Sequence, residues 1–116
     1  MTIETRIVGS ATVMQLNGAL TSNDTDPGVR LTVRSAVESG VRVIILNLQN
    51  VSDIDSYGVA VLASTHMSAV SRGGRLLFSN LSRKLKHLFA ITRLDTVFEL
   101  YETEQDAIAD CRCTET

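Results

Sequence analysis

Thr2 to Val8 sets Ile3, Thr5 and Ile7 against Glu4 and Arg6, the two-residue alternation of a strand with one buried face. Gly9-Ser10 reads as a turn, and Ala11 to Asn17 resumes with Val13, Met14 and Leu16. The pair predicts a hairpin that Gly18 ends. Thr21 to Pro27 is a polar loop, in which Asp26 suits a helix N-cap and Pro27 the first helical position, where a missing N–H costs nothing. Val29, Val33, Ala36 and Val37 then recur at helical spacing up to a stop at Gly40.

Val41 to Leu48 is apolar on both faces, the mark of a strand inside a covered sheet, and Val51 and Ile54 carry the burial on to Asp55. From Tyr57 to Ser71 the residues are small or aliphatic. Val59, Leu62, Ala63, Met67 and Val70 follow a three-four rhythm, and Ala60, Ala63 and Ala69 permit close approach to a sheet. Gly73-Gly74 ends this helix, and Arg75 to Ser79 gives another covered strand. Ser82 can cap a short helix with Leu85, Leu88 and Phe89 inward and Arg83, Lys84 and Lys86 outward. Val97 to Tyr101 predicts a last strand near an edge, given Glu99. Thr103 with Asp106 resembles a capping box for a final helix that buries Ala107, Ile108 and Cys111 and frays from Cys113. Strands alternating with helices after an opening hairpin make an α/β fold: one domain over residues 1–116, ordered over about 2–111, with a mixed, mostly parallel sheet and about four helices.

Composition narrows the function classes. The chain is 44% hydrophobic and 21% charged, ordinary for a globular protein. Its aromatics are two tyrosines and three phenylalanines, too few for platforms that stack nucleic-acid bases. A net charge of −2 makes no electrostatic trap for DNA or a membrane surface. The charges are nevertheless segregated. No acid lies between Asp55 and Asp95, an interval holding Arg72, Arg75, Arg83, Lys84, Lys86 and Arg93, whereas the tail is acidic. That pattern fits either a partner surface or the solvated faces of separate helices. Cys111 and Cys113 point to a reducing compartment, no signal pattern opens the chain, and no apolar run reaches the ~20 residues of a membrane span, so a soluble cytoplasmic protein is expected.

Catalytic motifs are missing: there is no G-x-S-x-G, no nucleotide-binding glycine loop, no H-E-x-x-H and no metal-ligand spacing. A Ser56–His66–Asp55 triad can be drawn, but no oxyanion-hole pattern accompanies it, and His87 has no partner in the sequence. What stands out is Asp55-Ser56-Tyr57-Gly58, where the apolar strand gives way to the small-residue helix. A serine at a helix start can cap the free N–H groups. The same groups can receive a phosphate on that serine. Asp55 either orients the hydroxyl, lies near a partner's metal or is a turn residue; Gly58 either lets a partner approach Ser56 or packs the helix onto the sheet.

The run LNLQNVSDIDSYGVAVLAS, with SRGGRLLFSNLSRKLKHLFAITRLDTVFELYETEQDAI after it, resembles a STAS domain, specifically the bacterial anti-sigma factor antagonists. These show an apolar strand ending L-x-L and then D-S-x-G opening a helix. The resemblance implies a partner switch without catalysis or a cofactor in this chain. The unmodified antagonist binds an anti-sigma factor that is also a GHKL-type serine kinase, and the sigma factor is released. The kinase, with its own ATP and Mg²⁺, phosphorylates the motif serine, and a PP2C-type phosphatase reverses this. By position the phosphoacceptor is Ser56, with Asp55 and Gly58 as motif companions. Two residues depart from the family pattern: Tyr57 stands where a small residue is common, and Gly18-Ala-Leu-Thr21 replaces G-E-L-D, so that Thr21 takes the place of a partner-contacting Asp. Those departures leave open a non-switching STAS adaptor, on a lipid ABC transport system or a stress-signalling scaffold. A small-molecule-binding domain has no convergent polar set to support it.

Overall fold

The computed structural model describes residues 2–9, 11–21 and 28–114. Strand β1 (Thr2–Val8) pairs antiparallel with β2 (Ala11–Leu20), Val8 opposite Ala11, across a turn in which Gly9 takes φ 63°. Every later pairing is parallel: β2 with β3 (Val43–Ile54), β3 with β4 (Arg75–Ser79), and β4 with β5 (Glu99–Tyr101). The sheet order is β1-β2-β3-β4-β5, so the last strand lies at an edge as its Glu99 suggests.

Four α-helices connect or close the strands: α1 (Gly28–Glu38), α2 (Ser56–Ser71), α3 (Arg83–Ile91) and α4 (Glu104–Thr114). Val29, Val33 and Val37 of α1, Leu62 and Ala69 of α2, and Leu85 and Phe89 of α3 meet Ile44, Leu46, Leu48, Leu76 and Phe78 in one core. The alternate strand residues Val13, Val43, Ile45 and Leu77 form a second core with Ala107 of α4. The expected α/β fold, with its opening hairpin and mixed sheet, is thus the observed one. Period-two alternation explains why β3 is buried without a break from Val43 to Leu48: both of its faces are covered there.

Several expectations need correction. Gly18 does not end β2; it takes φ 117° beside a register shift, and the ladder to β3 continues to Leu20 opposite Ile54. Strand β3 begins at Val43, two residues later than the apolar run, and continues through Val51 to Ile54 as the continued burial predicts. Val97 and Phe98 precede β5, because a 3-10 turn over Leu94–Thr96 lets the Phe98 N–H donate to the Leu94 carbonyl. Phe98 is buried all the same, stacked on Phe78 at 4.5 Å and edge-on to Phe89. In α2 the inward residues are Gly58, Val59, Leu62, Thr65 and Ala69, while Met67 and Val70 are 70% and 52% exposed. Apolar residues occur nearly all round this helix, so spacing alone did not single out its buried face. The Thr65 hydroxyl, fully buried, is satisfied by donating to the Val61 carbonyl at 2.7 Å. The Asp26–Pro27 helix start, Ser10 and the Cys111 side chain lie outside the described residues.

The segregated charges find one another across the fold. Arg75 pairs with Glu99 and with Asp110, Lys86 with Glu102, Lys84 with Asp53, and Arg72 with Glu38. Arg75 and Lys86 thereby join β4 and α3 to the edge strand and the acidic tail. Arg83 and Arg93 are exposed and make no ion pair among the described residues. Among the described residues, no helix is long and apolar enough to cross a membrane.

Candidate functional site

The D-S-x-G segment lies where β3 ends and α2 begins. Asp55 has extended backbone (φ −121°, ψ −172°) and stands just outside the helix. Its Oδ1 accepts the Gly58 N–H at 3.0 Å, and its carbonyl accepts the Val59 N–H at 3.0 Å. Asp55 is therefore the N-cap, and Ser56 is the first residue of the helix. The cap expected of Ser56 belongs to its neighbour, because only the extended residue can turn its side chain back toward the first-turn N–H groups.

Ser56 is exposed, and its hydroxyl makes no hydrogen bond among the described residues. Tyr57 follows with 40% of its surface exposed. Its ring borders a groove of about 280 Å³ between α1 and α2, lined also by Arg30, Ala60, Val61 and Ser64.

Gly58 is buried, and its role is structural. A Cβ there would stand 2.0 Å from the Leu20 carbonyl oxygen and 2.7 Å from Ile54 Cγ1. The same carbonyl accepts the Asp55 N–H at 3.3 Å. Of the two readings of this glycine, tight packing of the helix onto the sheet is what the geometry shows; Gly58 faces inward, away from any approaching partner. The contact also brings the half-buried Thr21, next after Leu20, to the end of the sheet that carries Asp55 and Ser56.

A hydrolytic triad does not form. His66 lies ten residues beyond Ser56 on the same helix, about 15 Å along the axis. It packs instead on Phe98, with ring centroids 5.1 Å apart, and burial holds its pKa below the ordinary histidine value. His87 is exposed on α3. Among the described residues no cluster of His, Cys, Asp and Glu could hold a metal ion. No motif or spacing in the sequence singles out Arg30 or the Leu20 carbonyl. The one hint of the second was a single glycine within an otherwise uninterrupted helical pattern.

Comparison with known proteins accords with this geometry. The STAS domain sequence profile matches residues 2–107. A Thermotoga maritima protein assigned by name as an anti-sigma factor antagonist is 28% identical over 76 residues, covering 66% of this chain and 67% of that one. An anti-sigma factor antagonist from Mycobacterium paratuberculosis superposes with a TM-score of 0.83 at 22% identity, over 96% of this chain and 93% of that one. The anti-sigma factor antagonist SpoIIAA, in its unphosphorylated form, superposes with a TM-score of 0.72 at 24% identity, over 96% and 98% of the two chains. SpoIIAA of Bacillus has also been solved in a phosphorylated form. The fold is shared throughout, the profile spans the sheet and the start of α4, and the chain belongs to the STAS domain family.

Proposed function

We propose that this protein is an anti-sigma factor antagonist switched by phosphorylation of Ser56. Unmodified, it binds an anti-sigma factor that is also a GHKL-type serine kinase, and so frees the sigma factor. The kinase, supplying its own ATP and Mg²⁺, phosphorylates Ser56 and ends the interaction. A PP2C-type phosphatase restores the binding form. Asp55, Tyr57 and Thr21 shape the surroundings of the switch, and Gly58 seats the helix that carries it.

The observation that carries this reading is the division of labour between Asp55 and Ser56. Asp55 caps α2 through the Gly58 N–H, so the neighbouring hydroxyl is left exposed and uncommitted at the helix start. A kinase can take that hydroxyl without dismantling a cap. The phosphate then adds up to two negative charges at the positive end of a 16-residue helix, a position the folded chain tolerates. Within a close interface the same charge disfavours the complex by repulsion and desolvation, and Asp55 beside it adds to the negative field. The names of the relatives and the two forms of SpoIIAA support the reading.

Affinity for the kinase tests it. Ser56→Ala should bind like the wild type, and Ser56→Glu about tenfold or more weakly. Equal binding by the two variants contradicts a phosphorylation switch at this site.

A further inference from the structure

The groove beside Ser56 carries a positive charge. Arg34, one turn along α1, is paired with Glu38, and Arg72, Arg75, Lys84 and Lys86 all have carboxylate partners. Arg30 is exposed and makes no ion pair among the described residues, yet it lines the groove opposite Tyr57. Among the described residues the rest of the lining is small or apolar: Ala60, Val61 and Ser64. The Ser64 hydroxyl is turned inward along its own helix, donating to the Val61 carbonyl at 3.1 Å. Among the described residues the groove thus offers a cation without an ion pair, an aromatic side chain and a shallow, mostly apolar floor, next to Ser56.

We propose that this groove docks a segment of the kinase in which a carboxylate pairs with Arg30 and an adjacent apolar side chain lies against Tyr57. The inference rests on the partner reading of the preceding subsection and specifies its contact surface. A guanidinium with no ion pair among the described residues can pair with a partner, and it presents a fork that matches a carboxylate in two hydrogen bonds. A half-exposed tyrosine supplies contact area at low entropic cost, the kind of anchor that dominates interfaces. Ala60 and Ser64 are short enough for an apolar side chain to reach the floor. On this account the tyrosine at position 57 is a specificity element: it selects a kinase whose docking segment carries that acidic and apolar pair.

The experiment measures binding of unphosphorylated protein to each purified GHKL-type serine kinase of the source organism. Arg30→Glu and Tyr57→Ala should each weaken the complex about tenfold or more, and Arg30→Lys should fall between Arg30→Glu and the wild type. Arg83→Glu, which changes an exposed unpaired arginine on α3, should leave affinity unchanged. Melting temperatures should match the wild type, since Arg30 and Tyr57 are both exposed. Wild-type affinity in both groove variants overturns the groove while leaving the partner reading intact. An equal loss in Arg83→Glu also overturns it, because general charge attraction then accounts for the effect. If no kinase binds the wild-type protein, the partner reading itself falls, and the groove proposal with it.

Discussion

Gly58 meets the Leu20 carbonyl so closely that even a methyl group there would stand 2.0 Å from the oxygen. This contact holds the start of α2 against the end of β2. The exposed position of Ser56 follows from it, because the helix cannot rotate or slide without breaking the contact.

Gly58→Ala should therefore destabilise the fold although alanine is the better helix former. Alanine gains at most about 1 kcal/mol of helix propensity. The clash is with backbone and cannot be relieved by a side-chain rotation, and overpacking of this kind costs about 1–3 kcal/mol or more. A 2.0 Å contact with backbone puts the cost at the upper end of that range, so a net loss of about 2 kcal/mol is expected in urea unfolding, with the same slope and a lower midpoint. A variant as stable as the wild type would mean that the helix start is not clamped.

The cap and the candidate switch should separate on mutation. Asp55→Ala removes the acceptor of the Gly58 N–H and should cost about 1 kcal/mol. Asp55→Asn, itself a good cap, should cost less. Ser56→Ala should stay within about 0.5 kcal/mol of the wild type, as for any exposed residue without a bonded side chain. Chemical denaturation of the three variants checks this, and a larger loss in Ser56→Ala than in Asp55→Ala would reverse the assignment.

These two relationships mark where the sequence was legible. The covered run of β3 and the valine spacing of α1 gave both the element and its buried positions, because one physical period dominates each stretch. Alternation in β1 gave the strand but not a buried face: Thr5 is exposed and Ile7 is 81% exposed. The D-S-x-G segment was visible as a strand-to-helix junction. Which residue caps was not, since Asp and Ser are both good caps and only the backbone angles decide. The Leu20–Gly58 contact joins residues far apart in the chain, and its local trace is the glycine alone, which does not name its partner. Met67 and Val70 were misplaced for the opposite reason: α2 is apolar on too many sides for its pattern to point anywhere.

On the far side of the sheet, acid should loosen α4. Asp110 accepts from the Tyr101 hydroxyl and pairs with Arg75 at 2.7 Å, and these contacts hold its carboxyl below the ordinary value of 3.8. Arg75 also holds Glu99, Nε donating to Oε2 at 2.8 Å. A carboxylate lowered on folding contributes stability that is fully present above its unfolded pKa and lost as pH falls through the folded one. Tyr101 is shifted the other way, raised by burial and then by its bond to Asp110, so its share is present below the ordinary 10.0 and lost as pH rises above it. Melting temperature should thus fall off below about pH 4 and again above about pH 10. Asp110→Asn should flatten the acid limb relative to the wild type; an unchanged acid limb would show that this network does not couple to folding.

The most direct measurement is the site and extent of phosphorylation when the purified protein is incubated with its GHKL-type kinase, ATP and Mg²⁺. Intact-mass and peptide mass spectrometry should find one phosphate per chain, on Ser56, and none on Ser56→Ala. A phosphate on Ser22 or Ser82, or an unmodified chain with a kinase that binds it, would contradict the switch.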